Sequence, residues 1–332
     1  MITFVLITIA LALLFDFYNG MNDAANSIAT IVSTRVLTPK LAVAWAAFFN
    51  FVAAFFFGVH VANTIGKGIV RFDIVTPSLI FAAVLGAILW SAAMTHLGFP
   101  ISISHSLIGG LIGAAISRMG DTSALVMTGI IKVSVFIVVA PLLGLFVGSL
   151  MILASTWIVR LRPPSKVDRW FRVLQLFSAA AYSLGHGTND AQKTMGIIAI
   201  LLFSAGMLGP EFYVPFWVII TCHLFISMGT LIGGWKVIHT LGVRITKLRP
   251  IDGFCAETAS ALTLFGTAAA GIPASTTHTI TGAIIGVGSV KRFSAVRWGV
   301  AGHIITAWIF TIPCSAAMGW LAYKITLHFY HP

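Results

Sequence analysis

Charge is what this sequence most lacks. Of 332 residues only 9% are charged, and the acids number nine. A soluble domain carries roughly a quarter charged residues, so a soluble globular protein of this length is excluded. Cysteine is scarce as well. Cys222, Cys255 and Cys314 lie in or beside apolar runs with no metal-ligand spacing among them, which excludes a thiolate metal site and says nothing of redox compartment. The longest polar connection, residues 160–172, is too short to hold a soluble domain. No basic residue precedes the first apolar run, residues 2–15, and a polar motif follows it directly, so a cleaved leader is not expected.

What is present is apolar. Hydrophobic residues make up 58% of the chain, and its mean hydropathy is +0.99. Uncharged stretches cover residues 41–66, 74–117, 133–159, 212–235, 258–290 and 298–323. Each is at least as long as the ~20 residues that cross a bilayer as a helix, which predicts an all-α polytopic membrane protein. The net charge of +11 does not point to nucleic acid, because the basic residues sit between apolar spans and form no solvated face. The largest group, Arg160, Arg162, Lys166, Arg169 and Arg172, reads as a cytoplasmic anchor.

The chain is written twice. Residues 17–24 (FYNGMNDA) recur as 184–191 (LGHGTNDA), Thr64-Ile65-Gly66 as Thr240-Leu241-Gly242, and residues 99–106 (FPISISHS) as 272–279 (IPASTTHT). Three marks in the same order indicate a tandem duplication, with units at residues 1–160 and 161–332. Equivalent loops differ in basic content. Arg35 and Lys40 follow the first motif, whereas residues 205–214 hold only Glu211; Lys291, Arg292 and Arg297 follow the last motif, against Arg118 and Asp121 in the first half. Lys67 and Arg71 argue weakly the other way, against Arg244, Lys247 and Arg249. Equivalent loops on opposite faces mean inverted-topology repeats, with a site near the midplane between them.

Residues 74–117 and 258–290 do not read as simple spans. In each, an apolar stretch ends at Gly-x-Pro (Gly98 and Pro100, Gly271 and Pro273) and a second starts among hydroxyls. Both are expected to be re-entrant helical hairpins, each proline in the first turn of the second helix. Two ordinary spans joined at the surface are the alternative.

Four acids fall inside apolar segments: Asp16, Asp23, Asp190 and Glu257. Such groups mark ion or proton paths. Asp23 and Asp190 are duplicate positions, each after an asparagine (Asn22, Asn189) and near a glycine, a context expected to break the helix and free oxygen ligands for a hard cation. Asn26, Glu257, Ser104 and Thr277 complete the Na⁺ candidates, and Lys193 can pair with Asp190 one turn away. Ser102, Ser104 and Ser106, with Ser275, Thr276, Thr277 and Thr279, place donors at two helix starts, where a small oxyanion can be held; helix capping is the plainer role. His105 and His278 either orient these tips, bond the anion or relay a proton. Gly109-x-x-x-Gly113 and Gly282-x-x-x-Gly286 are expected close-packing faces.

Residues 19–27 (NGMNDAANS), 185–193 (GHGTNDAQK), the two Pro-x-Ser-x-Ser/Thr-His motifs and residues 253–261 (GFCAETASA) together resemble the inorganic phosphate transporter (PiT) family over nearly the whole chain. That resemblance implies secondary transport of orthophosphate coupled to Na⁺ or H⁺, no bound cofactor, a homodimer in the lipid bilayer, and a compact prokaryotic form located in the inner (plasma) membrane. Asp23, Asp190 and the two hydroxyl-histidine runs are then the phosphate site. Val84 stands where the first half would carry a partner for Glu257. The nearest alternative cargo is another oxyanion such as sulfate. An intramembrane phosphatase or lipid phosphotransferase is disfavoured, because no arginine lies in either motif to hold a transferring phosphoryl group.

Overall fold

Among the described residues every regular element is helical, which lets each segment satisfy its own backbone where no water can. The computed structural model describes residues 2–56 and 58–329; the side chain of Lys67, used above for loop charge, lies outside the described residues. The first half runs α1 (Ile2–Ser33), α2 (Pro39–Val52), α3 (His60–Gly68), α4 (Pro77–Leu97), α5 (Ile103–Met119) and α6 (Met127–Ile158). The second half repeats that order: α7 (Pro164–Ser204), α8 (Phe216–Ile232), α9 (Trp235–His239) running into a π-helical turn at Thr240–Arg244, α10 (Pro250–Ala269), α11 (Thr276–Lys291) and α12 (Trp298–Phe329). Among the described residues four helices, α1, α4, α6 and α12, are long and apolar enough to cross a membrane alone, and two bent pairs, at α2/α3 and α8/α9, raise this to six.

The halves are interlocked. The long helix α6 packs on α11 and α12 packs on α5; α1 packs on α8, and α7 on α2 and α3. Each of these contacts crosses between halves and has a counterpart when the halves are exchanged. Glycines set the approach. A methyl on Gly109 would lie 2.0 Å from Ser315 Oγ, and one on Gly282 would lie 2.1 Å from the carbonyl oxygen of Pro141. The two Gly-x-x-x-Gly faces are therefore the seams on which α5 meets α12 and α11 meets α6.

Both hairpins form. Helices α4 and α10 end before left-handed glycines, Gly98 (φ 80°) and Gly271 (φ 62°), a conformation glycine adopts without a Cβ penalty. The return helices start after Ser102 and Ser275, whose hydroxyls accept from the backbone N–H of His105 and His278. Pro100 and Pro273 thus lie two residues before the caps, not in the first turn as the sequence suggested. They keep the crossing strand extended, and the capping serines set where the helix begins.

A second expectation is corrected. The Asn-Asp motifs do not unwind their helices: α1 and α7 run unbroken through Asp23 and Asp190. Their glycines serve close packing instead, a methyl on Gly20 falling 1.9 Å from the carbonyl oxygen of Ile226 and one on Gly187 2.7 Å from that of Asn50. The breaks lie elsewhere, with bends of 84° between α2 and α3 and 66° between α8 and α9.

Candidate ion-binding site between the hairpins

Helices α1 and α7 carry the two motif aspartates into the space under both hairpin tips. Asp23 and Asp190 are buried, and one hydroxyl joins them: Thr276 Oγ1 lies 3.2 Å from Asp23 Oδ2 and 3.0 Å from Asp190 Oδ2. Thr277 Oγ1 lies 3.4 Å from Asp23 Oδ1 and 3.1 Å from the carbonyl oxygen of Ile101, and receives a 2.9 Å bond from the Asn26 amide. Asn22 donates to Asp23 Oδ1 at 2.7 Å and accepts from Thr95 at 3.0 Å. Lys193, also buried, donates to Asp190 Oδ1 and Ser104 Oγ at 2.5 Å each and to the carbonyl oxygen of Ala274 at 2.8 Å.

The other proposed residues divide by what they touch. Ser102 and Ser275 cap. Ser106 and Thr279 bond back to the carbonyls of Ser102 and Ser275, one turn earlier in their own helices. Asn189 turns away, its amide donating to Leu264 O at 3.0 Å. His105 and His278 meet edge to face at 4.8 Å, and His278 stacks on Trp308 at 3.7 Å. Pro141 has no N–H to offer Ile137, and His278 Nδ1 lies 3.3 Å from that freed carbonyl. Neither histidine bonds the aspartates. Two further acids hold clusters of their own. Glu257 accepts from Thr30 at 2.5 Å, Gln175 at 2.9 Å and Ser178 at 2.5 Å. Asp16 accepts from Thr194 at 2.9 Å.

His186 was missed as a site residue. Asn50 donates to Thr230 at 3.0 Å, so its oxygen faces His186 Nδ1, also at 3.0 Å, and holds a proton there. In a neutral ring Nε2 then directs a lone pair at the carboxylates, 3.3 Å from Asp190 and 3.9 Å from Asp23. One oxygen of each carboxylate and a ring nitrogen of His186 all lie within 4.8 Å of one another. Acceptors meeting in a buried space call for a cation or a proton between them. The sequence signal was its place: His186 stands in the duplicated motif where the first half has Asn19.

The Thr-x-Gly repeat also has a structural use. Thr64 Oγ1 on α3 donates to the carbonyl of Gly271 at 2.8 Å, and Thr240 Oγ1 donates to that of Gly98 at 3.1 Å. Each threonine thus holds the hairpin tip of the other half. The segment bearing Thr240 walls a cavity of about 610 Å³ lined also by Ala29 of α1, Arg35 and Lys247.

Residues 19–319 match the model of the phosphate transporter family. The chain is 59% identical over 315 residues to a probable low-affinity inorganic phosphate transporter of Rhizobium meliloti, covering 95% of this chain and 94% of that one. A protein of Bacillus subtilis with the same description is 40% identical, with 95% and 94% covered. Among solved structures, one described as the sodium-dependent phosphate transporter superposes with a TM-score of 0.87 at 26% identity, covering 99% of this chain and 100% of that one.

Proposed function

The chain belongs to the phosphate transporter family, and on that premise we propose that it is a phosphate symporter driven by Na⁺, working by alternating access. It is a membrane transporter and not an enzyme, as the transporter names of its relatives agree. One observation carries the coupling: Asp23 and Asp190 are bridged by Thr276 directly beneath two helix N-termini. The N-termini suit an anion and the carboxylates repel one. Two like unit charges at ~4 Å repel by about 4 kcal/mol at an effective dielectric of 20, so phosphate enters only with a cation that screens the acids. Mutual dependence of cation and anion binding is what a symporter requires.

In this reading Asp23 Oδ1, Thr277 Oγ1 and the Ile101 carbonyl, with the unpartnered Asn26 Oδ1 nearby, supply the oxygen ligands of the cation. Phosphate, unlike sulfate, can also donate its own protons to the carboxylates. The halves, residues 1–160 and 161–332, act as inverted repeats, and the two hairpins move against α6 and α12, which hold a homodimer in the inner membrane. The similarity to the sodium-dependent transporter supports Na⁺ over H⁺. The test is uptake of labelled phosphate into proteoliposomes under an imposed Na⁺ gradient or an imposed proton gradient, with sulfate as competitor. Na⁺-driven accumulation insensitive to sulfate is expected. Accumulation that follows the proton gradient alone, or competition by sulfate equal to that by phosphate, overturns the proposal.

A further inference from the structure

The duplication lets each ligand of one half be matched to a position in the other. In the second half, the three protons of the Lys193 ammonium reach Asp190 Oδ1, Ser104 Oγ and the Ala274 carbonyl at 2.5, 2.5 and 2.8 Å. An ammonium has three donors, so each of its protons is engaged by an oxygen of this cage. The repeat offsets pair Asp190 with Asp23, Ser104 with Thr277 and Ala274 with Ile101. Those counterparts also converge: Thr277 Oγ1 lies 3.4 Å from Asp23 Oδ1 and 3.1 Å from Ile101 O. The counterpart of Lys193 itself is Asn26, whose amide stops at Thr277 and whose buried Oδ1 has no partner.

We propose that Lys193 permanently fills one of two symmetry-related cation positions, so that this transporter couples to a mobile cation at the Asp23 position alone. A carboxylate, a hydroxyl and a backbone carbonyl are the oxygen set that a hard monovalent cation takes, and a fixed ammonium already occupies it in the second half. The charge count agrees. With the His186 ring neutral, Asp23 and Asp190 contribute two negative charges and Lys193 one positive, leaving one negative charge for a mobile cation to neutralise before phosphate arrives. With asparagine at position 193 the count would be two.

The inference rests on the symporter reading, and its test separates the two. Wild type, Lys193→Asn and Asn26→Lys are reconstituted, and initial phosphate uptake is measured against Na⁺ concentration, with the ²²Na⁺ to phosphate ratio measured in parallel. Wild-type uptake driven by Na⁺ establishes the reading first. Lys193→Asn then opens the second position: the Na⁺ dependence steepens from a Hill coefficient near one toward two, and the ratio rises by one Na⁺ per phosphate. Asn26→Lys closes the first position, so phosphate binding no longer responds to Na⁺. Should Lys193→Asn fail to fold, the Asn26→Lys result decides alone. An unchanged Na⁺ dependence in Asn26→Lys, or an unchanged Hill coefficient and ratio in a folded Lys193→Asn, overturns the assignment. A wild type that takes up phosphate without Na⁺ overturns the reading, and the assignment with it.

Discussion

Removing the charge of Asp23 should make the cation-free protein more stable, which is unusual for a buried functional residue. The carboxylates of Asp23 and Asp190 offer oxygens within 4.8 Å of each other. At that separation two unit charges repel by about 3.5 kcal/mol at an effective dielectric of about 20. Lys193 sits on Asp190 and offsets part of this, so a net gain of about 1–2 kcal/mol is expected for Asp23→Asn when no Na⁺ is present. Asparagine keeps one oxygen to accept from Asn22, and its amide can donate to the Thr276 hydroxyl, which then gives its own proton to Asp190 Oδ2, so packing is preserved. Asp190→Asn should do the reverse. It strands the Lys193 ammonium, and breaking one partner of a buried pair costs about 3–5 kcal/mol. The assay is unfolding of purified protein in detergent, in choline chloride and in sodium chloride. Wild type should gain stability from Na⁺ by mass action, about 2.7 kcal/mol at a hundredfold excess over the dissociation constant. Asp23→Asn should start higher in choline and gain nothing from Na⁺. An Asp23→Asn protein that is weaker than wild type in choline, or that Na⁺ still stabilises, would refute the argument.

Ser104→Ala and Thr277→Ala each remove a hydroxyl at the site and should weaken phosphate binding by about 1–3 kcal/mol; binding measured on reconstituted protein, unchanged in both variants, would reduce these groups to scaffolding. Gly109→Ala and Gly282→Ala place a methyl against Ser315 and Pro141 and should cost about 1–3 kcal/mol or more in unfolding measurements, whereas Gly299→Ala, with open space around it, should be neutral. Thr64→Val and Thr240→Val each release one hairpin tip, and labelling of a cysteine placed at the tips by an impermeant thiol reagent should rise from one face in the first variant and from the opposite face in the second. Equal labelling from both faces in both variants would remove the threonines from gating.

Helices, the glycine turns of the hairpins and the buried acids of the candidate site were legible in the sequence because each leaves a local mark. A left-handed turn needs Gly98 or Gly271, a capped start needs Ser102 or Ser275, and an acid in an apolar run is costly enough to need a use. What misled was reading local chemistry without the neighbours. Gly20 and Asn22 look like helix breakers in isolation; in the fold the glycine admits α8 and the asparagine is satisfied by Asp23 and Thr95. His186 escaped because its role depends on Asn50, 136 positions away in sequence. The Glu257 cluster needed Thr30, Gln175 and Ser178 from two other helices. No spacing within one segment could have assembled it.

The places where the two halves differ bear on how the carrier is poised. Perfectly equal halves would give the two end states of an inverted repeat equal energy, and any unlike pair shifts that balance. At the hairpin latches the threonine bonds are matched, but Lys236 adds a charge-assisted bond to the His96 carbonyl at 2.8 Å, where the first half has His60 in the equivalent position. The tip of the α4/α5 hairpin is thus held by Lys236 and Thr240 from α9 and the adjoining π-turn, whereas the α10/α11 tip is held by Thr64 of α3 and by the Lys193 ammonium on the Ala274 carbonyl. Buried ionisable groups also differ between the halves: Lys193 and Glu257 of the second half stand opposite Asn26 and Val84, and Asp16 of the first half stands opposite Ser183. In the proposed reading the first half contributes the Asp23 position that fills and empties, and the second half contributes the Lys193 ammonium that stays on Asp190. On that reading binding at Asp23 changes the charge balance, and the two tips are released from unlike partners, Thr240 and Lys236 on one side and Thr64 and Lys193 on the other.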